Sequence, residues 1–199
     1  IMQNKYILFY KPFQVLSQFT DIGNKKALGH FFPNIEKDIY PIGRLDYDSE
    51  GLLLLTNDKK FHHQLLQPKN KHSKTYAVQV EGVLDKKALE QLEKGVEISL
   101  KKRKHFTAPA KARILEKPIF PDRNPPIRYR ANIPTSWLEL SITEGKNRQV
   151  RKMTAKVGFP TLRLIRTHIG DLNLEGLQPG EYKHLALDEA QKALRRLKF

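Results

Sequence analysis

Three acids and an arginine share one glycine-bounded stretch, Gly43-Arg44-Leu45-Asp46-Tyr47-Asp48-Ser49-Glu50-Gly51, and Leu52-Leu53-Leu54-Leu55-Thr56-Asn57-Asp58 follows directly. The uninterrupted apolar run has the composition of a buried strand. Carboxylates beside such a strand are costly unless they are paired or hydrogen-bonded, and Arg44 is near enough in sequence to partner Asp46. A loop carried by a core strand is where a chain usually presents chemistry. Three uses fit these residue types. The acids can satisfy backbone donors at a strand-loop-strand corner. They can begin a calcium loop, since Asp46, Asp48, Glu50 and Gly51 match the start of the EF-hand pattern. That pattern then wants an oxygen ligand at its ninth position and a bidentate glutamate at its twelfth, where this chain has Leu54 and Asn57. Or Asp46 is a catalytic carboxylate held beside a guanidinium.

The elements that must position this loop can be read in order. Lys5 to Tyr10 is β-branched and aromatic, which predicts a strand stopped by Pro12. Lys25 to Phe32 predicts a short helix closed by Pro33, and Ile39 to Ile42 a short strand that delivers the loop. Asn57-Asp58 starts an amphipathic helix ending before Pro68. Thr75 to Glu81 alternates as a strand. Asp85 caps a helix that Gly95 stops. Val96 to Leu100 and Phe106 to Leu115 read as strands around the basic run Lys101-Lys102-Arg103-Lys104-His105. Pro118 to Pro134 holds five prolines and excludes a long helix or a central strand. Trp137 to Thr143 is a strand. Asn147 can cap a helix running to Val157, with Val150, Met153, Thr154 and Val157 on one face and Arg148, Arg151, Lys152 and Lys156 on another. A turn and strand follow to Arg166, Gly170 to Gly180 is mostly loop, and Glu181 to Leu187 is a last strand. Asp188 to Lys198 reads as an amphipathic helix.

Composition narrows the partners. The 199 residues suit one compact domain of two lobes with a real core, and they carry a net charge of +15. Such a surplus favours a polyanion and says little about fold. The chain has no cysteine, which excludes disulfides, thiolate metal sites and cysteine nucleophiles. No apolar run approaches the roughly 20 residues of a membrane span, and the N-terminus lacks a signal-peptide layout. A cytoplasmic monomer with no membrane partner is expected.

The motifs sharpen this picture. Gly43-Arg44-Leu45-Asp46, followed by Gly51 to Asp58, resembles the signature of the RsuA/RluB/RluE/RluF branch of RNA pseudouridine synthases. Lys74-Thr75-Tyr76 resembles that family's second motif. Glu144-Gly145-Lys146-Asn147-Arg148-Gln149-Val150-Arg151-Lys152-Met153 resembles its third, and Lys11-Pro12 its lysine-proline segment. The resemblance covers Tyr6 to about Leu187. It implies an α+β pseudouridine synthase fold: a mixed, mostly antiparallel bent sheet flanked by helices, with two lobes around a central cleft. It implies a catalytic domain over 2–187, a helical tail over 188–199 and no S4 domain ahead of the first strand. Asp46 becomes the essential aspartate, with Arg151 facing it to keep it charged and Tyr76 stacking on the target base; these three form the catalytic set. Leu164 lines the base pocket, so that it and Tyr76 sandwich the uracil. Arg44, Lys11, Lys74, Arg148 and Lys152 are the expected RNA contacts. No metal or organic cofactor is implied. The runs Arg123 to Arg128 and Ile133 to Leu138 look like the large-subunit subgroup, which implies a uridine of 23S rRNA in the peptidyl-transferase region, met as RNA or in a pre-ribosomal large-subunit particle. A small-subunit rRNA enzyme and a non-catalytic rRNA-binding or ribosome-assembly protein are the alternatives.

Overall fold

The computed structural model describes residues 3–116, 118–128, 130–174 and 176–196. Eleven strands and four α-helices are assigned among them. Strand β1 (Tyr6–Lys11) is buried along its whole length, and so is β3 (Glu50–Thr56), the leucine run. The short β2 (Tyr40–Pro41) pairs with β3 and hands the chain into the acidic loop. Helix α1 (Lys59–Leu66) starts where Asp58 accepts the Phe61 N–H at 3.0 Å. Then come β4 (Lys74–Glu81), α2 (Lys86–Lys94), the hairpin of β5 (Glu97–Leu100) and β6 (Arg103–Phe106), and β7 (Lys111–Leu115). The last elements are β8 (Thr135–Ile142), α3 (Gln149–Lys156), β9 (Thr161–Ile169), β10 (Leu172–Asn173), β11 (Tyr182–Leu185) and α4 (Leu187–Gln191).

One sheet runs through the molecule in the order β11-β1-β3-β9-β4-β8-β7. Every neighbouring pair on that path is antiparallel except β3 and β9, which run parallel and pair only at Glu50↔Ile165 and Gly51↔Arg166. This brief seam divides the sheet into two lobes. In the first, Ile7, Phe9, Leu53 and Leu55 pack with Leu28, Phe32 and Ile39 on one face, while Leu8, Leu52 and Leu54 pack with Phe61, Leu65, Ala190 and Ala193 on the other. In the second, Val78, Val80, Leu138, Leu140 and Leu164 pack against Ala88 and Leu92 of α2 and Val150 and Met153 of α3. The fold class is the one the motifs implied, and each lobe brings one side of a cleft to the seam.

Four local expectations are corrected. Over 25–32 only a 3-10 turn forms, at Leu28–His30. The backbone there bonds sideways instead, with the Leu16 N–H on the Lys26 carbonyl and the Leu28 N–H on the Gln18 carbonyl. The strand expected over 106–115 is broken. Thr107 and Ala110 turn their N–H groups to Val96 and Glu93, and Pro109 has no N–H to extend a ladder. Asn147 does not cap α3. That position falls to Arg148 in a left-handed conformation, φ 52 and ψ 34. The helix expected over 188–198, whose last two residues lie outside the described residues, ends at Gln191 and gives way to a 3-10 turn over Lys192–Leu194, because the Lys192 carbonyl is taken by the Asp171 N–H and the Leu194 carbonyl faces His72 Nδ1 at 2.8 Å. No helix among the described residues is long and apolar enough to cross a membrane.

Candidate active site

The acidic loop is pinned on both sides. The Leu45 N–H donates to Ser17 Oγ at 3.0 Å, and the Ser17 hydroxyl donates back to the Leu45 carbonyl at 2.7 Å. The Tyr47 carbonyl accepts the Gln14 N–H at 2.8 Å, and the Ser49 N–H closes a turn on the Asp46 carbonyl at 3.0 Å. The Lys25 ammonium sits 5.1 Å from the centroid of the Tyr47 ring. At the end of the loop Glu50 turns inward and is gripped by Arg163, Nε to Oε2 and Nη2 to Oε1 at 2.8 Å each. Arg163 Nη2 also reaches the Pro121 carbonyl at 2.7 Å. Arg123 lies 3.9 Å over the Phe13 ring and donates to the Pro125 and Pro126 carbonyls, so the proline-rich segment is fastened to the same region.

Helix α3 brings the cations. Its entry is fixed by Glu144, which accepts the Ala108 N–H and the Gln149 amide and faces His105 at 2.9 Å. Gln149 Oε1 in turn accepts the Lys146 N–H at 3.1 Å. From this base Arg148 makes a fork onto Asp48, Nη1 to Oδ1 at 2.9 Å and Nη2 to Oδ2 at 2.8 Å. The Arg148 bond, followed by the charges of Arg151 and Arg148, holds the Asp48 carboxyl below the usual carboxylate range, and the same bond holds the Arg148 guanidinium above its ordinary value. Arg148 Nη1 lies 3.6 Å from Asp46 Oδ2. Arg151 donates Nη2 to the Asp48 main-chain carbonyl at 2.7 Å and stands 3.5 Å from its carboxylate. Burial pulls Arg151 down from its ordinary pKa, and its Nε has no partner among the described residues.

The expected residues distribute unevenly. Asp46, Arg148 and Arg151 come together, but Arg151 reaches Asp48 where Asp46 was expected, because its guanidinium meets the loop at the Asp48 carbonyl. Arg44 is exposed and forms no ion pair with Asp46 among the described residues; the cation beside Asp46 is Arg148. Lys11 is not on the surface. It is fully buried, with Nζ donating to the Pro12 and Val15 carbonyls at 2.8 Å each. Burial draws its pKa down to about 7 against the pull of Glu50, Asp48 and Asp46. It therefore holds the loop after β1, and the expected RNA contact is corrected. Lys74 is half-buried at the start of β4, drawn down to about 8 by burial and then by Arg166. Lys152 is half-buried on α3. Tyr76 and Leu164 are neighbours on one sheet face, 8% and 5% exposed, in one apolar cluster.

A single row crosses the sheet at the seam: Lys11 pairs with Gly51, Gly51 with Arg166, Arg166 with Tyr76, and Tyr76 with Leu140. Arg166 is buried there, donating Nε to the Leu52 carbonyl at 2.8 Å. Gln14, Ser17, Arg163 and Arg166 build this site without having been singled out for it, and Asp48 and Glu50, read from the sequence only as loop acids, turn out to be held by Arg148 and Arg163. Only the Asp46-x-Asp48 spacing carried a local signal; the Glu50–Arg163 pair spans 113 positions and has none.

Residues 5–156 match the family model for RNA pseudouridylate synthases. The chain is 51% identical over 187 residues to ribosomal large subunit pseudouridine synthase E of Vibrio parahaemolyticus serotype O3:K6, covering 94% of this chain and 76% of that one. It is 48% identical over 180 residues to the Xanthomonas campestris pv. campestris protein of the same name, covering 89% and 93%. A crystal structure described as a pseudouridylate synthase matches with a TM-score of 0.78 at 28% identity, over 97% of this chain and 75% of that chain. The chain belongs to the RNA pseudouridylate synthase family. Its activity is that of the class, an isomerase that converts uridine to pseudouridine.

Proposed function

We propose that the protein isomerises one uridine of 23S rRNA in the large ribosomal subunit, in the peptidyl-transferase region, with Asp46 as the catalytic carboxylate. The observation that carries this is the Asp46 side chain, 37% exposed on a loop pinned from both sides, with a guanidinium 3.6 Å away. An ionised carboxylate so placed can act on the ribose, as nucleophile at C1′ or as base at C2′. The glycosidic bond breaks, the uracil turns, and a carbon–carbon bond forms to the same ribose. The target must leave its stack for this to happen. Tyr76 and Leu164 receive the base, and stacking on an aromatic ring contributes about 1–3 kcal/mol. Arg148, Lys74, Lys152 and the exposed Arg44 hold the backbone. The names of the relatives support the large subunit as substrate, and rRNA, free or in a precursor particle, is the partner of a cytoplasmic monomer.

Pseudouridine mapping of 23S and 16S rRNA from a deletion strain, complemented with wild type or Asp46→Asn, tests the assignment. One 23S uridine should lose modification and regain it only with wild type. A 16S site would move the substrate to the small subunit. Restoration by Asp46→Asn, or no change at any site, would leave only an rRNA-binding role.

A further inference from the structure

Two carboxylates compete for one guanidinium in the cleft, and the catalytic one is losing. Arg148 gives both arms of its fork to Asp48, at 2.9 and 2.8 Å, and approaches Asp46 with one nitrogen at 3.6 Å, beyond hydrogen-bond length. We propose that Asp48 is a positioning residue for the isomerisation, holding the Arg148 guanidinium off the carboxylate of Asp46 while keeping its charge close. The inference rests on Asp46 being the catalytic acid.

The chemistry follows from what a fork does to a carboxylate. A bidentate arginine occupies both oxygens with charge-assisted donors. A carboxylate held that way is stabilised as an ion but its lone pairs are engaged, so it is a poor nucleophile and a poor base. At 3.6 Å from Arg148 and with no side-chain hydrogen bond among the described residues, Asp46 has the field of the cation and keeps its oxygens free. The holding geometry is fixed at both ends. Arg148 is anchored at the start of α3 in a left-handed backbone conformation, with its carbonyl accepting the Lys152 N–H at 3.1 Å. Asp48 is anchored by Arg151, whose Nη2 donates to its main-chain carbonyl at 2.7 Å. Remove the Asp48 charge and the fork has Asp46 as the remaining acid within its reach. Arg148 would then change from a helper into an inhibitor, which an ordinary supporting contact would not do.

That reversal of sign is the test. Single-turnover rates are measured at saturating 23S rRNA fragment for wild type, Asp48→Asn, Arg148→Met and the double variant, with the melting temperature and RNA affinity of each. Asp48→Asn should slow the reaction about 100-fold, the scale of a misplaced reacting group. Adding Arg148→Met should then speed it about 10-fold or more, as release of a closed fork requires. A double variant as slow as Asp48→Asn or slower overturns the proposal, as does Asp48→Asn at the wild-type rate. Should Asp48→Asn fail to fold, Asp48→Ser in the same two backgrounds reads the same sign. Asp46→Asn is run alongside. Full turnover there would remove the role of Asp46 itself, whereas a dead Asp46→Asn with no sign reversal would remove the role of Asp48 alone.

Discussion

Arg163 closes on Glu50 with two bonds of 2.8 Å across the seam between the lobes, where the side chains are 8% and 3% exposed. Glu50 ends the acidic loop and Arg163 lies on β9, so the pair ties the loop of one lobe to a strand of the other. Removing one partner leaves a buried charge alone, which costs about 3–5 kcal/mol. Arg163→Met should lose that much stability in chemical denaturation, and Glu50→Gln added to it should return a large part. Equal losses for the single and double variants would show that the pair is not acting as a unit.

Gly51 sits at the seam between the two lobes, paired with Arg166. A Cβ there would lie 2.3 Å from the Arg166 carbonyl oxygen, and the backbone has φ +110. Gly158 has φ +95 but open space around it. Gly158→Ala should therefore cost only the backbone strain, about 1–2 kcal/mol. Gly51→Ala adds the clash with backbone that cannot move aside, and should cost at least about 2 kcal/mol more. Matched thermal melts of the two variants check the difference.

Lys11 gives a pH signature. Its folded pKa is pushed down to about 7 from the 10.5 of an exposed lysine, chiefly by burial. Between those values the unfolded chain holds a proton that the folded chain has released, so stability rises with pH through that window. Below about 7 both states are protonated and the full penalty of the buried charge remains. Denaturation midpoints of wild type minus Lys11→Met should therefore climb from pH 7 toward 10. A flat difference would mean that Lys11 stays charged in the fold.

Arg151 and Lys152 are adjacent yet should fail differently. Arg151 is half-buried with its guanidinium on the Asp48 carbonyl, so Arg151→Met should lower the saturated rate in a way that more RNA does not rescue. Lys152→Met should weaken RNA binding and flatten its salt dependence by about one unit of slope, as loss of one phosphate contact does. Rescue of Arg151→Met by high RNA concentration would make it a binding residue.

Much of this arrangement is written locally. Strands β1, β3 and β8 announce themselves by apolar and β-branched runs, and Asp58 and Asp85 cap the helices that follow them. What local pattern does not contain is the partner of each polar group. Arg44 is two residues from Asp46, yet the cation at 3.6 Å is Arg148, 102 positions away. Lys11 follows an apolar strand and looks exposed, but two backbone carbonyls draw it inside. Arg148 takes a left-handed cap that residue type disfavours, and Asn147 would have suited it better; the fork onto Asp48 accompanies that choice. Long-range pairing of charge decides these positions, and short windows of sequence do not record it.

The first strand of the described chain is flanked by β3 and by β11, the last strand among the described residues, with Tyr6 opposite Leu185. During synthesis β4, β8 and β9 can assemble their share of the sheet while β1 still lacks one neighbour. The lobe that carries Asp46 is finished only when residues 182–185 have left the ribosome. Long-range pairing of this kind is slow to form. The newly made enzyme thus gains a competent cleft only once β11 has emerged, and a chain cut short before it has none to offer.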